Sequence, residues 1–140
     1  MTRGLIAFAS LAGFVLLNCA EHSMTKVIFV AKKRPDLTDD EFITYWQQIH
    51  APLVAKVPGV RRYVIQPVTR AALADADPVC DGVAEIWFEN LAMVQDAAAS
   101  AAGQIASADI AKFCAPQSGA VVVDEIAVAE GLPAEAGVTT

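Results

Sequence analysis

His50 is the side chain of this sequence best suited to move a proton. The chain has two histidines, and the other, His22, lies in a leader-like segment at the N-terminus. Imidazole titrates near neutral pH, so it can accept a proton from a substrate and return it. The apolar residues that share its side of the segment disfavour the charged ring, which would keep His50 neutral and basic. A core histidine bonded to a backbone carbonyl is the alternative interpretation of the same pattern.

Three further side chains could take part in the same chemistry. The hydroxyl groups of Tyr45 and Tyr63 could hydrogen-bond a substrate oxygen, and the carboxyl group of Glu85 could act as a partner acid. Each residue also has an ordinary structural explanation. A tyrosine at the boundary of a core packs its ring while its hydroxyl meets water, and a strand glutamate is usually ion-paired or exposed.

One amphipathic helix is predicted to position His50. Thr38 and Glu41 have the spacing of a capping box, which indicates a helix that begins after Thr38. Pro52 cannot donate a backbone hydrogen bond, so we expect a kink close to His50. At about 100° per residue, one apolar arc contains His50 and has Tyr45 at its rim. The members of this arc are Phe42, Ile43, Trp46, Ile49, His50, Leu53, Val54 and Val57.

Four strands and a second helix complete the predicted fold. The strands are expected at residues 26–31, 60–68, 82–88 and 120–129. Asn90 should cap a helix that runs through Ser100 and is broken at Gly103. The order βαββαβ predicts an α+β, ferredoxin-like fold, with a four-stranded antiparallel sheet that carries its helices on one face. Residues 69–79 are the best candidate for a mobile flap over a site.

A pocket between the first helix and the sheet is the expected binding site. Phe42 and Trp46 on the helix, and one face of the second and third strands, would form its walls. Glu85 and Trp87 share a face of the third strand and complete the candidate substrate-binding set. Such a lining suits a small hydrophobic or aromatic molecule with few polar anchors.

The first and fourth strands are apolar on both faces, although two helices can cover only one face of the sheet. The other face must then be buried by something else. A second copy of the same sheet is the economical answer, which predicts a two-fold homodimer.

Charge and cysteine content argue against several classes of function. The 140-residue chain has a formal net charge of −6, whereas nucleic acid binding requires a basic face. Cys19, Cys80 and Cys114 have no C-x-x-C spacing, so neither a zinc site nor a disulfide framework is indicated. The sequence contains no phosphate-binding glycine loop, no G-x-S-x-G and no flavin or nicotinamide motif, and we expect no metal and no cofactor.

The run KKRPDLTDDEFITYWQQIHAPLVAKVPGVRRYV resembles the signature of the EthD family. Weaker similarity continues in DGVAEIWFEN, ADIAKFCA and VVVDEIAV. The resemblance implies a dimeric α+β barrel, and it places Tyr45, His50 and Tyr63 at recurring positions of the family. These three residues are therefore our candidate catalytic residues. The EthD-like domain is assigned to residues 24–129, between a leader at 1–23 and a C-terminal tail at 130–140.

Residues 1–23 have two interpretations that lead to different cellular locations. The resembled family usually begins at the first strand and is cytoplasmic, so we favour a start codon assigned too far upstream. The short apolar run from Leu5 to Leu17 also fits a signal peptide, in which case the protein would be exported. The mature domain is not expected to contact a membrane.

The residues and the resemblance together favour a cofactor-independent acid/base enzyme. It would act on a small cyclic, aromatic or lactone catabolite as an isomerase, dehydratase or decarboxylase. One alternative is a non-catalytic protein that binds a hydrophobic ligand as an accessory to an oxygenase system. A second alternative is a direct oxidoreductase, the class in which the family is often placed.

Overall fold

A computed structural model describes residues 24–68 and 77–125 and confirms the βαββαβ order. The strands are Thr25–Ala31 (β1), Arg62–Pro67 (β2), Gly82–Phe88 (β3) and Gly119–Val123 (β4). They form one antiparallel sheet in the order β2-β3-β1-β4. The predicted flap lies largely outside the described residues, as do the leader, the tail and the last part of the predicted fourth strand.

The helices are Asp39–Tyr45 (α1), Ala51–Ala55 (α2), Leu91–Ala99 (α3) and Ala101–Asp109 (α4). A π-helical turn, Trp46–His50, joins α1 to α2, and a 3₁₀ turn, Ile110–Lys112, follows α4. The core lies between these helices and one face of the sheet, where Phe29 and Ala84 pack with Phe42, Trp46 and Phe113. None of the helices in the described ranges is long and apolar enough to cross a membrane.

The start of α1 is the predicted capping box. Thr38 Oγ1 accepts a hydrogen bond from the Glu41 backbone N–H at 3.1 Å, and Glu41 Oε2 accepts one from the Thr38 N–H at 2.8 Å. Two of the unpaired donors at the helix start are thereby satisfied. The acidic first turn also complements the positive end of the helix dipole.

The expected kink near Pro52 takes the form of the π-helical turn. The Ala51 N–H donates to the Trp46 carbonyl, five residues back instead of four. Such a turn inserts one extra residue, and it sits where the missing N–H of Pro52 already interrupts the α-helical pattern. The insertion changes which side chains face the core: Ile49, expected inside the apolar arc at the end next to Tyr45, is 50% exposed.

The break between α3 and α4 lies at Ser100, so the prediction of a break at Gly103 is wrong. The Ser100 hydroxyl donates to the Ala97 carbonyl at 2.6 Å and accepts from the Gly103 N–H at 3.0 Å. Ser100 therefore ends one helix and caps the next. Gly103 lies in the first turn of α4, where a Cβ atom would stand 1.9 Å from the Ala97 carbonyl oxygen. Its role is to permit this close approach.

The second face of the sheet is uncovered within the described residues. The strand register places Lys26, Glu85 and Trp87 on it, and Lys26 Nζ lies 3.0 Å from Glu85 Oε1. Val30 and Val121 on the same face are 41% and 56% exposed. Exposed apolar strand positions of this kind mark a surface for a partner. A second copy of the sheet remains the occupant we expect.

Candidate active site

An apolar cavity of about 230 Å³ lies between the helices and the sheet. His50, Tyr63 and Ser107 are its polar side chains, and no Lys, Arg, Asp or Glu of the described residues lines it. The cavity extends to exposed residues on α4 and β4, Ser107 and Ala120. The remaining lining residues are Val27, Phe29, Val54, Val57, Val60, Ala84, Ile86, Phe88, Val94, Ala97, Ala98, Gly103, Ala106 and Ile110.

His50 is buried at the wall of this cavity and is held by Asp109. The residue is 5% exposed, and its Nδ1 lies 3.0 Å from Asp109 Oδ2. The second oxygen of the same carboxylate, Oδ1, accepts a hydrogen bond from the Tyr45 hydroxyl at 2.8 Å. The Phe113 ring packs against both aromatic side chains, with its centroid 4.8 Å from that of the His50 ring and 5.3 Å from that of the Tyr45 ring. The three polar groups therefore form one chain, Tyr45–Asp109–His50.

The π-helical turn explains how Tyr45 and His50 reach the same carboxylate. On a regular α-helix, residues five apart differ by about 140° in direction, because each residue advances about 100°. The extra residue in the turn brings such positions closer to one side. Pro52 thus affects the site through the backbone, without being a part of it.

Burial and hydrogen bonding set the ionisation of this chain of residues. Burial lowers the pKa of His50 below 6.5, although the hydrogen bond and charge of Asp109 oppose it. Burial alone would raise the pKa of Asp109, but the hydrogen bonds from Tyr45 and His50 outweigh it and the pKa falls. Burial, assisted by Asp109, raises the pKa of Tyr45 to about 12. At neutral pH the chain therefore consists of an ionised Asp109, a neutral His50 and a protonated Tyr45.

These states fix which His50 nitrogen is basic. An ionised carboxylate only accepts hydrogen bonds, so Nδ1 of His50 carries the proton and Nε2 has the free electron pair. Among the described residues, His50 makes its hydrogen bond to Asp109 through Nδ1, and none through Nε2. These residues also contain no fully buried side-chain nitrogen or oxygen that lacks a hydrogen-bond partner. Nε2 therefore keeps accessible surface, and the cavity that His50 lines provides it.

Tyr63 offers the opposite polarity to the same cavity. Its hydroxyl oxygen accepts a hydrogen bond from Trp46 Nε1 at 2.8 Å. Indole nitrogen can only donate, so the Tyr63 hydrogen must point elsewhere, and Tyr63 donates no hydrogen bond to the described residues. Burial raises the pKa of Tyr63 to about 12, which keeps this proton in place at neutral pH. Besides the hydroxyl of the exposed Ser107, the side chains that line the cavity thus offer one acceptor at His50 and one donor at Tyr63.

The structure separates the other predicted binding residues from the cavity. Phe42 and Trp46 are each 1% exposed and belong to the core cluster, so they support the site without lining the cavity. Glu85 and Trp87 lie on the uncovered face of the sheet, because alternate residues of β3 point to opposite sides. Ala84, between them, is on the cavity side.

Asp109 is the site residue that sequence reasoning missed. It stands 59 positions after His50, so no local spacing connects the two residues. The available signal was a single carboxylate at the apolar end of a helix, within ADIAKF. An acid in such surroundings is rarely buried unless it has partners.

The cysteines and acids do not form a second site within the described residues. Cys80 and Cys114 are free thiols, both buried, and burial raises the pKa of Cys114 to about 12. No group of three or more potential metal ligands occurs in the ranges that the structure describes.

Comparison with known proteins links the chain to one family. A family model described as the EthD domain matches residues 34–117. A protein of Rhodococcus erythropolis, named as an uncharacterized 11.0 kDa protein in the thcB-thcC intergenic region, is 33% identical over 72 residues. This match covers 51% of the present chain and 68% of that protein.

Solved structures similar to this chain have the same fold. An EthD family protein from Bacillus halodurans gives a TM-score of 0.64 at 20% identity, covering 74% of this chain and 99% of that one. A dimeric ferredoxin-like protein of unknown function from Bacteroides fragilis gives 0.56 at 18%, covering 74% and 97%. SnoaB, a cofactor-independent oxygenase from Streptomyces nogalater, gives 0.51 at 14%, covering 80% and 99%. At these identities the likeness shows the fold alone.

Proposed function

Because the chain belongs to the EthD family, we propose that it is a small homodimeric enzyme that performs acid/base chemistry without a cofactor. Its substrate is a small, largely apolar molecule held in the cavity. The observation that carries the proposal is the position of His50, whose Nδ1 is bonded to Asp109 while the residue lines a largely apolar cavity.

The proposed reaction is the movement of a proton next to a carbonyl group. His50 Nε2 takes a proton from the carbon beside the carbonyl, and the electron pair of that C–H bond becomes the new C=C bond of an enolate. The carbonyl oxygen gains the negative charge and accepts the Tyr63 O–H hydrogen bond. The imidazolium then returns its proton to a different carbon, which completes an isomerisation with no change in oxidation state.

Asp109 and Tyr45 act as positioning residues in this scheme. Asp109 keeps the proton on Nδ1 and stabilises the imidazolium that forms during the transfer. Tyr45 fixes the carboxylate by its hydrogen bond to the other oxygen. Neither residue is among those that line the cavity.

Two other functions would use the same cavity differently. An accessory protein would bind the molecule and release it unchanged. An oxidoreductase would let the deprotonated substrate pass electrons to O₂, and similarity in fold to a cofactor-independent oxygenase is the observation in its favour. Substrate-dependent oxygen consumption separates the second case from the proposed isomerisation.

The test uses cyclohex-3-enone, an uncharged ring that a base converts to cyclohex-2-enone by the steps above. The proposal predicts that the protein accelerates this conversion, followed by ultraviolet absorbance, and that His50→Ala slows it by about 10²- to 10⁴-fold. Gln48→Ala, on the exposed side of the same turn, is the matched control and should retain the full rate. Equal rates for both variants, with melting temperatures and dimers intact, would refute the role of His50.

A further inference from the structure

We propose that the cavity selects uncharged single-ring molecules that carry one hydrogen-bond-accepting oxygen, and that it excludes molecules of the same size bearing a carboxylate. This selectivity deepens the proposed function. It rests on one part of that proposal, the assignment of the cavity as the binding site. It is an equilibrium property, so binding can test it separately from catalysis.

The volume of the cavity limits the number of rings in a ligand that fits inside it. An apolar protein cavity of about 150 Å³ accommodates benzene, which is roughly 25 Å³ for each non-hydrogen atom. The 230 Å³ cavity therefore fills with roughly nine non-hydrogen atoms, one ring with a short substituent. A second fused ring would have to project past Ser107 and Ala120 toward solvent.

The chemistry of the lining determines which ligand charge the cavity can accept. A carboxylate that enters the cavity loses its hydration, and no cationic side chain of the described residues lines the wall to replace it. The effective cost of burying an unpaired ion in a protein is several kcal/mol. His50 could pair with the ligand only by gaining a proton, and its burial opposes that gain.

Of the three polar side chains that line the cavity, Ser107 is exposed, and His50 and Tyr63 set the pattern of hydrogen bonds that the ligand must match. Tyr63 already accepts from Trp46, so it has a donor to offer to a ligand oxygen. His50 already donates to Asp109, so it has an acceptor to offer to an acidic hydrogen. A ligand that satisfies both has an oxygen acceptor and a weakly acidic C–H or O–H group on an otherwise apolar ring.

Three probes with the same number of non-hydrogen atoms test the proposal: acetophenone, benzoate and isopropylbenzene. Affinities are measured with the full chain by ¹H–¹⁵N NMR shift titration. We expect acetophenone to bind at least tenfold more tightly than benzoate. Its affinity should exceed that of isopropylbenzene by roughly 2- to 13-fold, the value of one net hydrogen bond. Tyr63→Phe should remove the advantage over isopropylbenzene and leave the affinity of the hydrocarbon unchanged.

Two variants locate the binding. Ala97→Leu places a larger side chain in the cavity lining and should abolish acetophenone binding, whereas Ala99→Leu, exposed on the same helix, should leave it unchanged. Benzoate binding as tight as acetophenone, or no binding of any probe, would overturn the proposal. Binding with the expected selectivity but no isomerisation of cyclohex-3-enone would uphold it and refute the proposed catalysis.

Discussion

Replacing Asp109 by asparagine is the most informative perturbation of the site. The change preserves size and removes the charge. The carboxylate accepts hydrogen bonds from both Tyr45 and His50, whereas an amide has one oxygen and one NH₂ group for these two neighbours. The amide can orient in two ways, and each has a distinct consequence for His50.

In the first orientation the amide oxygen still accepts from His50 Nδ1, and the Tyr45 hydroxyl accepts from the NH₂ group. The imidazolium then forms beside a neutral acceptor. A hydrogen bond to a charged group is worth about 1.5–3 kcal/mol and a neutral one about 0.5–1.5 kcal/mol. The difference of about 1–1.5 kcal/mol lowers the rate of proton transfer roughly 5- to 13-fold.

In the second orientation the NH₂ group faces His50 and the proton must move from Nδ1 to Nε2. The basic electron pair then no longer faces the cavity. The equivalent amide replacement in a catalytic triad costs roughly 10⁴-fold in rate. A ¹⁵N NMR spectrum distinguishes the two cases, because protonated and unprotonated imidazole nitrogens have different shifts.

The assay is the isomerisation of cyclohex-3-enone, with acetophenone affinity measured in parallel. We expect Asp109→Asn to slow the reaction at least fivefold while affinity stays unchanged, since Asp109 does not line the cavity. Exchanging its two charge-assisted hydrogen bonds for neutral ones, at about 1–1.5 kcal/mol each, should also lower the free energy of unfolding by about 2–3 kcal/mol. Asp96→Asn, on the exposed side of α3, is the control. An Asp109→Asn protein that keeps the wild-type rate and fold would refute the assigned role of Asp109.

Three further predictions concern stability and the two faces of the sheet. Gly103→Ala should lower the free energy of unfolding by about 1–3 kcal/mol, because its Cβ atom meets a backbone carbonyl. Gly119→Ala should have little effect, since nothing lies within 4 Å of a Cβ atom there. Urea titrations of the two variants compare their free energies of unfolding. The pKa of His50 is lower in the folded than in the unfolded state, so the unfolded chain binds more protons below pH 6.5. Stability should therefore decline as pH falls through this range toward the folded-state pKa, and a His50→Gln variant that retains the full decline would disprove this origin. Glu85→Gln removes one of the two carboxylates paired with Lys26 on the uncovered face and leaves Glu125. In the proposed dimer a partner sheet would cover Lys26 with its charge less fully compensated, so sedimentation should show weaker dimerisation while acetophenone affinity is retained. Reduced acetophenone affinity would return Glu85 to the ligand site.

Patterns that act locally were predictable from the sequence. The β3 bounds agree with the structure because turn residues flank an alternating run. Thr38 caps α1 as expected, because a capping box depends on two residues three positions apart. The burial of His50 also follows from its place in an apolar arc.

Properties that depend on distant contacts were not predictable in the same way. Alternation along β3 separates Glu85 and Trp87 from Ala84, but it does not tell which set faces the helices. A period of about 100° per residue assumes a regular α-helix, so it placed Ile49 inside and could not reveal the π-helical turn. Asp109 became visible as a partner of His50 only once α4 was placed against α2, which begins directly after His50.

The most direct measurement is a two-bond ¹H–¹⁵N correlation spectrum of His50 near pH 7.5, recorded with and without phenol. Phenol is a single uncharged ring with one acidic O–H group. We predict a neutral ring with the proton on Nδ1, and a phenol-dependent shift of the Nε2 resonance that is absent in Ala97→Leu. A proton on Nε2, or an Nε2 resonance that phenol leaves unchanged although it binds, would contradict the central role given to His50.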